Sequence, residues 1–242
     1  MLFFKHKMKV KDSGILQDFC ECHCHLLPGV DDGVKKTKET LAILQLWEEA
    51  GVSQVWLTPH IMEDMPNQTD KLRERFDKLK KEYEGNIRLA LASENMMDKL
   101  FDKRMEDNQL LPLGRTGEFL LVETSYVSPP MRMEEILYKV RAKGFKPVLA
   151  HPERYRYMTM DDFIHWKEKN VLFQLNMPSL TGMYGDSAKK NAKMLLKHGL
   201  YDFCGTDTHT LRSADFFLNY KIKKKTIQAL QKLSENNNIF KS

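Results

Sequence analysis

The stretch Phe19-Cys20-Glu21-Cys22-His23-Cys24-His25 alternates two chemistries with a period of two. That is the period of a β-strand, whose successive side chains point to opposite faces. As a strand it sets three thiols on one face and Glu21, His23 and His25 on the other. This first strand is expected over 18–23. Six more short runs rich in apolar residues follow, at 53–58, 87–92, 119–123, 147–150, 171–175 and 201–205. Helical stretches lie between most of them. Over 70–84, Leu72, Phe76, Leu79 and Tyr83 recur at helical spacing, with Gly85 as a stop. The stretches 40–50, 133–143 and 187–198 end in the same way before Gly51, Gly144 and Gly199. Ser187 and Ser213 are the expected N-caps. Seven alternating units imply a parallel sheet in an α/β fold. The simplest architecture is a closed or nearly closed barrel, filled as one domain over residues 1–242.

Composition permits this and excludes several other classes. Hydrophobic residues make up 42% of 242 positions, enough for a substantial core. No run approaches the roughly 18 apolar residues of a membrane helix, so no membrane insertion is expected. The segment MLFFKHKMKVKDSG at 1–14 mixes lysine into its apolar run and lacks the core of a signal peptide, which points to a cytoplasmic protein. The net charge is +5, with modest lysine clusters at 5–11 and 221–225. A nucleic-acid site would need a focused basic stripe with stacking aromatics, and none is present. A solvated surface with a mild preference for anions fits better. Cys20, Cys22, Cys24 and Cys204 read as small buried hydrophobes in a reducing compartment. A zinc knuckle is the competing reading, and it lacks a second CxxC or HxxxH pair.

Residues with metal-ligand chemistry gather at the ends of the strand runs. Five of the eight histidines do so (His23, His25, His60, His151 and His209), as do Glu94, Glu123 and Asp207. A parallel barrel brings the C-terminal ends of its strands to one face, so residues remote in sequence meet there. With Asp32 the candidates number nine, more than a single four-coordinate zinc can use. Two or three divalent ions bridged by carboxylates can use them, and nitrogen and oxygen donors without thiolate suit manganese, iron or zinc. Arg154 lies three residues beyond His151, and Arg212 three beyond His209. Both guanidinium groups are expected at the same mouth, where they can chelate a phosphate. None of the cysteines is followed by arginine six residues later, so the chain lacks the loop of the cysteine phosphatases. Tyr126, Met131, Tyr155 and Tyr157 lie just past ligand positions, placed either to stack on a substrate ring or to cover the core. Lys71, Arg75 and Lys78 are expected to be solvated. The tail beyond Phe216 offers no chemistry and is read as a cap on the barrel.

Taken in order, HCHLLPGVDDG at 23–33, TPHIMED at 58–64, ASE at 92–94, LLVETSY at 120–126, AHPERY at 150–155 and GTDTHTLR at 205–212 resemble the bacterial PHP-domain protein-tyrosine phosphatases of capsular and exopolysaccharide systems. The resemblance covers about residues 18–215. It implies a distorted seven-stranded TIM-like barrel of PHP type and a cluster of up to three ions, often manganese. It also implies hydrolysis of phosphotyrosine by a metal-activated water, with an autophosphorylated bacterial tyrosine kinase as partner. Carried onto this chain, the ligands would be His23, His25, Asp32, His60, Glu94, Glu123, His151, Asp207 and His209. Arg154 and Arg212 would bind phosphate, and Asp207 or His209 would assist the leaving group. Asp31 adjoins Asp32 and competes for its place. Two departures are Cys24, where a small or polar residue is common, and Asn95, where an aromatic is common. The oligomeric state is left open.

Two rival functions share these residues. A small-molecule phosphomonoesterase of histidinol-phosphatase type keeps the site and changes the substrate. A non-catalytic partner that captures phosphotyrosine would leave most of nine ligand residues without a task. The metal reading makes one direct prediction: hydrolysis disappears in excess chelator and survives alkylation of the thiols. Activity retained in chelator would overturn it.

Overall fold

The computed structural model describes residues 7–241; the run MLFF and Lys5 lie outside the described residues. Each expected strand forms, as Phe19–Glu21, Val52–Leu57, Arg88–Leu91, Phe119–Glu123, Lys146–Ala150, Leu172–Asn176 and Phe203–Gly205. The pairings among these strands are all parallel. Parallel strands are covered on both faces and so read as continuous apolar runs. The run Phe119–Glu123 shows this directly. Leu120 and Val122 join the larger apolar cluster, while Phe119 and Leu121 join a smaller one with Cys20, Cys22, Trp56, Val148 and Phe203.

The ladder does not run as one closed barrel. Six strands pair in the order Phe203–Gly205, Leu172–Asn176, Lys146–Ala150, Phe119–Glu123, Glu94–Met96, His60–Ile61. Three more, Phe19–Glu21, Val52–Leu57 and Arg88–Leu91, form a separate sheet, and Lys7–Lys9 pairs antiparallel with Lys221–Lys223 apart from both. The short strands His60–Ile61 and Glu94–Met96 continue Val52–Leu57 and Arg88–Leu91 after breaks of two residues. One break contains Pro59, which has no amide hydrogen to give a ladder.

Between the first and last strands, side chains replace the missing ladder. The Asn237 amide donates to the carbonyls of Cys20 at 2.8 Å and Cys204 at 2.6 Å, and its oxygen accepts from the Cys204 amide. Glu21 accepts from the backbone N–H groups of His23 and Thr206. Further along, Asp207 N–H donates to His23 O at 2.7 Å and His25 N–H to Thr208 O at 2.9 Å. The tail is thus a structural wedge. Phe240 is fully buried against Phe119 and Phe203, and its carbonyl accepts from Trp56 Nε1. Burying that ring contributes about 2 kcal/mol.

The helices follow their apolar periodicity. Thr37–Glu49 buries Ile43, Leu44 and Trp47 against Val52–Leu57, and Met133–Ala142 buries Ile136, Leu137 and Val140 against Lys146–Ala150. Gly51, Gly144 and Gly199 take left-handed φ of 101°, 88° and 67° beyond helix ends. Local punctuation differs from expectation in three places. Helix Thr69–Glu82 ends when Tyr83 turns extended, two residues before Gly85. Ser187 lies inside helix Gly185–Lys197, whose N-cap is Tyr184. Ser213 is the third residue of Leu211–Asn219 in a capping box with Thr210, the true N-cap, because Thr210 reaches the Ser213 amide. Among the described residues no helix is long and apolar enough to cross a membrane.

The loop after His25 is pinned on both sides. Val34 N–H donates to His25 O, Gly33 N–H to Asp31 Oδ1, and Arg75 Nε to Pro28 O at 2.8 Å. Arg75 is therefore half-buried rather than solvated, since it satisfies a loop carbonyl. A Cβ at Gly33 would meet His25 O at 2.2 Å and His25 Cβ at 2.5 Å. Gly33→Ala is expected to cost about 2 kcal/mol by overpacking and to displace His25. Urea denaturation, together with the metal content of the purified variant, measures both effects.

Candidate metal centre

Eight of the nine ligand-type residues identified in the sequence lie at or just past the C-terminal ends of the seven strands, and Asp32 lies exposed in the loop after His25. His23 and His25 follow Phe19–Glu21, His60 and Glu94 begin the two short continuing strands, and Glu123 ends Phe119–Glu123. His151 follows Lys146–Ala150, and Asp207 and His209 follow Phe203–Gly205. His151 and Asp207 both take left-handed backbone, with φ of 35° and 50°. Non-glycine residues rarely adopt it, and strain of this kind concentrates at functional sites. His23, His25, Glu94 and His151 are at most 1% exposed, and Glu123 and Asp207 scarcely more.

The contacts are dense. Glu94 Oε2 lies 3.1 Å from His23 Nε2, 3.2 Å from His25 Nε2 and 3.2 Å from His60 Nδ1. Glu94 Oε1 is 3.0 Å from His151 Nε2, and Glu123 Oε1 is 2.9 Å from His60 Nδ1. Asp207 divides its two oxygens. Oδ1 faces His23 and His25 at 3.5 and 3.2 Å, while Oδ2 accepts from Arg154 Nη1 at 2.7 Å. Three groups have donor atoms within 4.8 Å of one another and could each hold an ion. They are His25, Asp32, His60 and His209; His23, His25, Glu94 and Asp207; and His60, Glu94 and Glu123. Shared members tie the three into one cluster.

Outer partners aim the imidazoles. His25 Nδ1–H donates to Asp31 Oδ2 at 2.9 Å, and His23 Nδ1–H to Gln174 Oε1 at 2.8 Å. The Gln174 amide is itself oriented by its donation to Leu175 O. His209 Nδ1–H donates to the Asp207 carbonyl at 2.8 Å. In each ring the Nε2 lone pair is left facing the cluster, as second-sphere partners of metal-bound histidine arrange it. The two Nε2 atoms of His23 and His25 stand 3.3 Å apart. His60 Nδ1, Glu94 Oε2 and Glu123 Oε1, members of one ligand group, are buried with no hydrogen-bond partner. Buried polar atoms are rarely left so. The donor set fits divalent ions: orphaned oxygens and a nitrogen converge, and no thiolate intervenes.

Electrostatics give the same answer. Burial alone would lower the His23 imidazole, but the Glu94 and Asp207 carboxylates outweigh it and hold it at about 9. Burial would raise Glu94 and Asp207, yet the facing imidazoles keep both well below the usual carboxylate range. Hydrogen bonding to His209 brings Asp32 down to about 2. Protons on the imidazoles balance the carboxylates here, as cations would. All four cysteines are buried free thiols, and burial pushes Cys20 up to about 12, so none is a ready nucleophile. Cys24 departs from the expected shared face, packing in the larger cluster apart from Cys20 and Cys22, because the strand ends at Glu21.

A cavity of about 350 Å³ opens over the cluster. Arg154 is on its wall, with its guanidinium carbon 4.3 Å from the ring centroids of both Tyr126 and Tyr184. Tyr126 lines the cavity, whereas Tyr155 is fully buried, Tyr157 bonds Thr124, and Met131 is wholly exposed. Arg212 is exposed on the first helical turn beyond Thr210, outside the cavity lining. Asp31, in the sequence a rival of Asp32 for a ligand place, is instead the partner of His25 Nδ1; Gln174, Asn176 and Tyr184 carry no motif that marks them. A glutamine inside the apolar run Leu172–Asn176 was the one local sign of them.

Parallel strands carrying a buried cluster of imidazoles and carboxylates at their C-terminal ends define an α/β protein with a metal-binding type of centre. The chain belongs to the capsular polysaccharide synthesis family CpsB/CapC, whose model matches residues 19–236. It is 27% identical to the tyrosine-protein phosphatase YwqE of Bacillus subtilis over 202 residues, covering 81% of this chain and 79% of that one. It is 25% identical to the tyrosine-protein phosphatase CpsB of Streptococcus pneumoniae, covering 80% and 84%. The fold matches crystal structures of YwqE and CpsB, described as unique metal-dependent tyrosine phosphatases, with a TM-score of 0.79 at 24% identity over 91% of this chain and 94% of the other. A phosphotriesterase homology protein from Escherichia coli shares the fold more distantly, with a TM-score of 0.54 at 12% identity over 93% and 98%.

The charge balance predicts how the metal-free protein responds to pH. His23 titrates at about 9 when folded, against 6.5 for an unperturbed imidazole. Its contribution to stability is full below 6.5 and is lost as pH rises through about 9. Metal-free protein should therefore lose stability across that window, and adding a divalent ion there should release protons. Urea midpoints with and without metal, and proton release on metal binding measured by calorimetry in two buffers, check it.

Proposed function

We propose that this chain is a metal-dependent protein-tyrosine phosphatase acting on a phosphorylated bacterial tyrosine kinase. The carrying observation is the divided Asp207: one oxygen faces the imidazole cluster, and the other holds Arg154 at 2.7 Å. A phosphate-binding cation is thereby fixed beside a centre built for cations. The names of the relatives support the reaction class, and the order of the strands supports an interrupted seven-stranded barrel of PHP type in one domain.

Two or three divalent ions, manganese foremost with iron and zinc as alternatives, would be held by His23, His25, Asp32, His60, Glu94, Glu123, Asp207 and His209. His151 would join them beside Glu94. Such ions, when bound, hold phosphoryl oxygens and lower the pKa of water at the site. The chain's own groups supply the rest. Arg154 anchors the phosphate in bidentate fashion, its side chain stiffened between Tyr126 and Tyr184. Arg212, exposed between the lining residues Thr210 and Ser213, would add a second cation from outside the cavity. Tyr126, about one-third exposed, offers an aromatic edge to the substrate ring. His209 spends Nδ1–H on the Asp207 carbonyl, so Nε2 acts as a ligand rather than as a proton donor. Phenolate is a leaving group that departs without one. Val127 and Met131 stand exposed in the loop beyond Tyr126, a surface suited to a protein substrate rather than to a small enclosed phosphomonoester.

The test compares phosphotyrosine peptide with histidinol phosphate on manganese-loaded protein. Peptide should be the better substrate, and Arg154→Ala should lower its kcat/KM by about 100- to 1000-fold. A His23→Ala/His25→Ala double variant should fold and lose hydrolysis. Preference for histidinol phosphate would sink the protein-substrate reading, and full activity of the double variant would sink the metal reading.

A further inference from the structure

One buried carboxylate takes no part in the metal cluster. Glu153 is 1% exposed and lies between His151 and Arg154 in the short turn Pro152–Arg154. Its side chain reaches away from the mouth. Oε1 accepts from Ser179 Oγ at 2.7 Å and from the Asn176 backbone N–H at 3.1 Å, and Oε2 accepts from Tyr201 Oη at 2.9 Å. Its backbone carbonyl accepts from Asn191 Nδ2. The turn carrying Arg154 is therefore fastened to the end of Leu172–Asn176, to the turn Met177–Thr181, to helix Gly185–Lys197 and to Tyr201.

The fastening returns to the site. Asn176, bonded to Glu153 through its backbone, donates its side-chain amide to Asp207 Oδ2 at 3.0 Å. That same oxygen accepts from Arg154 Nη1 at 2.7 Å. Glu153, Asn176, Asp207 and Arg154 make a closed ring of contacts, with the peptide bond between 153 and 154 as its last link. Tyr184, at the N-cap of Gly185–Lys197, completes one wall of the guanidinium slot. A flexible arginine in such a ring has its backbone set by Glu153 and its head set by Asp207.

We infer that Glu153 is a positioning residue for the phosphate-binding guanidinium of Arg154, acting through the Asn176–Asp207 link and through the turn it anchors. This rests on the phosphatase reading of the site. A buried carboxylate facing three donors cannot be truncated without orphaning them, and the turn then loses its register. Misplacement of a binding group by about 1 Å costs on the order of a hundredfold in rate. Glutamine keeps one accepting oxygen and the shape, so it retains most of the anchor.

The experiment uses manganese-loaded full-length protein, with turnover of phosphotyrosine peptide and calorimetric binding of inorganic phosphate as separate readouts. Glu153→Ala should lower kcat/KM by about 10- to 100-fold and weaken phosphate binding in parallel, with metal stoichiometry unchanged. Glu153→Gln should recover most of that loss. In an Arg154→Ala background, Glu153→Ala should add no more than about twofold, because residues acting through one contact are not additive. An additive loss in that background, or loss of metal with the phosphate defect, would overturn the inference. If Glu153→Ala does not fold, Ser179→Ala and Tyr201→Phe remove single donors and should show the same non-additivity at smaller size. Wild-type protein that binds phosphate in this pattern without turnover would defeat the phosphatase reading and leave the positioning role standing. Turnover with phosphate binding unchanged in Glu153→Ala would do the reverse.

Discussion

Glu94 and Asp207 are buried carboxylates on the floor of the cavity, and each must be matched by positive charge where it stands. An ion isolated in a protein interior costs many kcal/mol and survives only when paired or coordinated. Here the matching groups arrive from strand ends far apart in the chain: His23 and His25 from the first, His60 from the second, His151 from the fifth and Arg154 just beyond it. The architecture can be read as the means of holding these partners together. Strands buried on both faces are stiff, and stiffness keeps the lone pairs of several side chains converged within a few ångströms against their own repulsion.

That convergence has a consequence for the sheet. Where the first and last strands meet, the backbone contacts among the described residues lie at the functional end, through His23, His25, Asp207 and Thr208. At the other end the Asn237 amide spans the gap, and Phe240 packs against Phe119 and Phe203 beneath it. The C-terminal segment is thus part of the scaffold that sets the distance between two ligand-bearing strands, although it carries no reactive group.

The site itself has a division of labour by depth. Imidazoles and carboxylates occupy the floor, and their outer partners Asp31 and Gln174 fix which ring nitrogen faces inward. Arg154 forms the wall, held by Asp207 below and by two tyrosine rings beside it. The exposed Val127 and Met131 lie in the loop beyond Tyr126. A phosphate would meet charge first and a ring would meet aromatic surface, so affinity for an aryl phosphate needs no separate pocket.

How much of this was legible beforehand follows from the range of the forces involved. Strand and helix positions were readable because short continuous apolar runs and helical spacing are local properties of the chain, as FLLVE over Phe119–Glu123 and Leu72 with Leu79 in the second long helix show. The ligand residues were readable because their chemistry recurs at each strand end. Helix punctuation was less so: Ser213 and Thr210 both suit an N-cap, and only the path of the chain decides between them. The sequence by itself determined the alternation of parallel strands and helices and the presence of ligand-type residues past the strand runs, since both are written in residue type and spacing. Tertiary structure alone decided that Asp31 orients while Asp32 faces the mouth, that Arg154 enters the wall while Arg212 remains outside, and that Asn237 replaces a stretch of ladder. Those outcomes depend on distances between segments up to 217 residues apart, which no local pattern encodes.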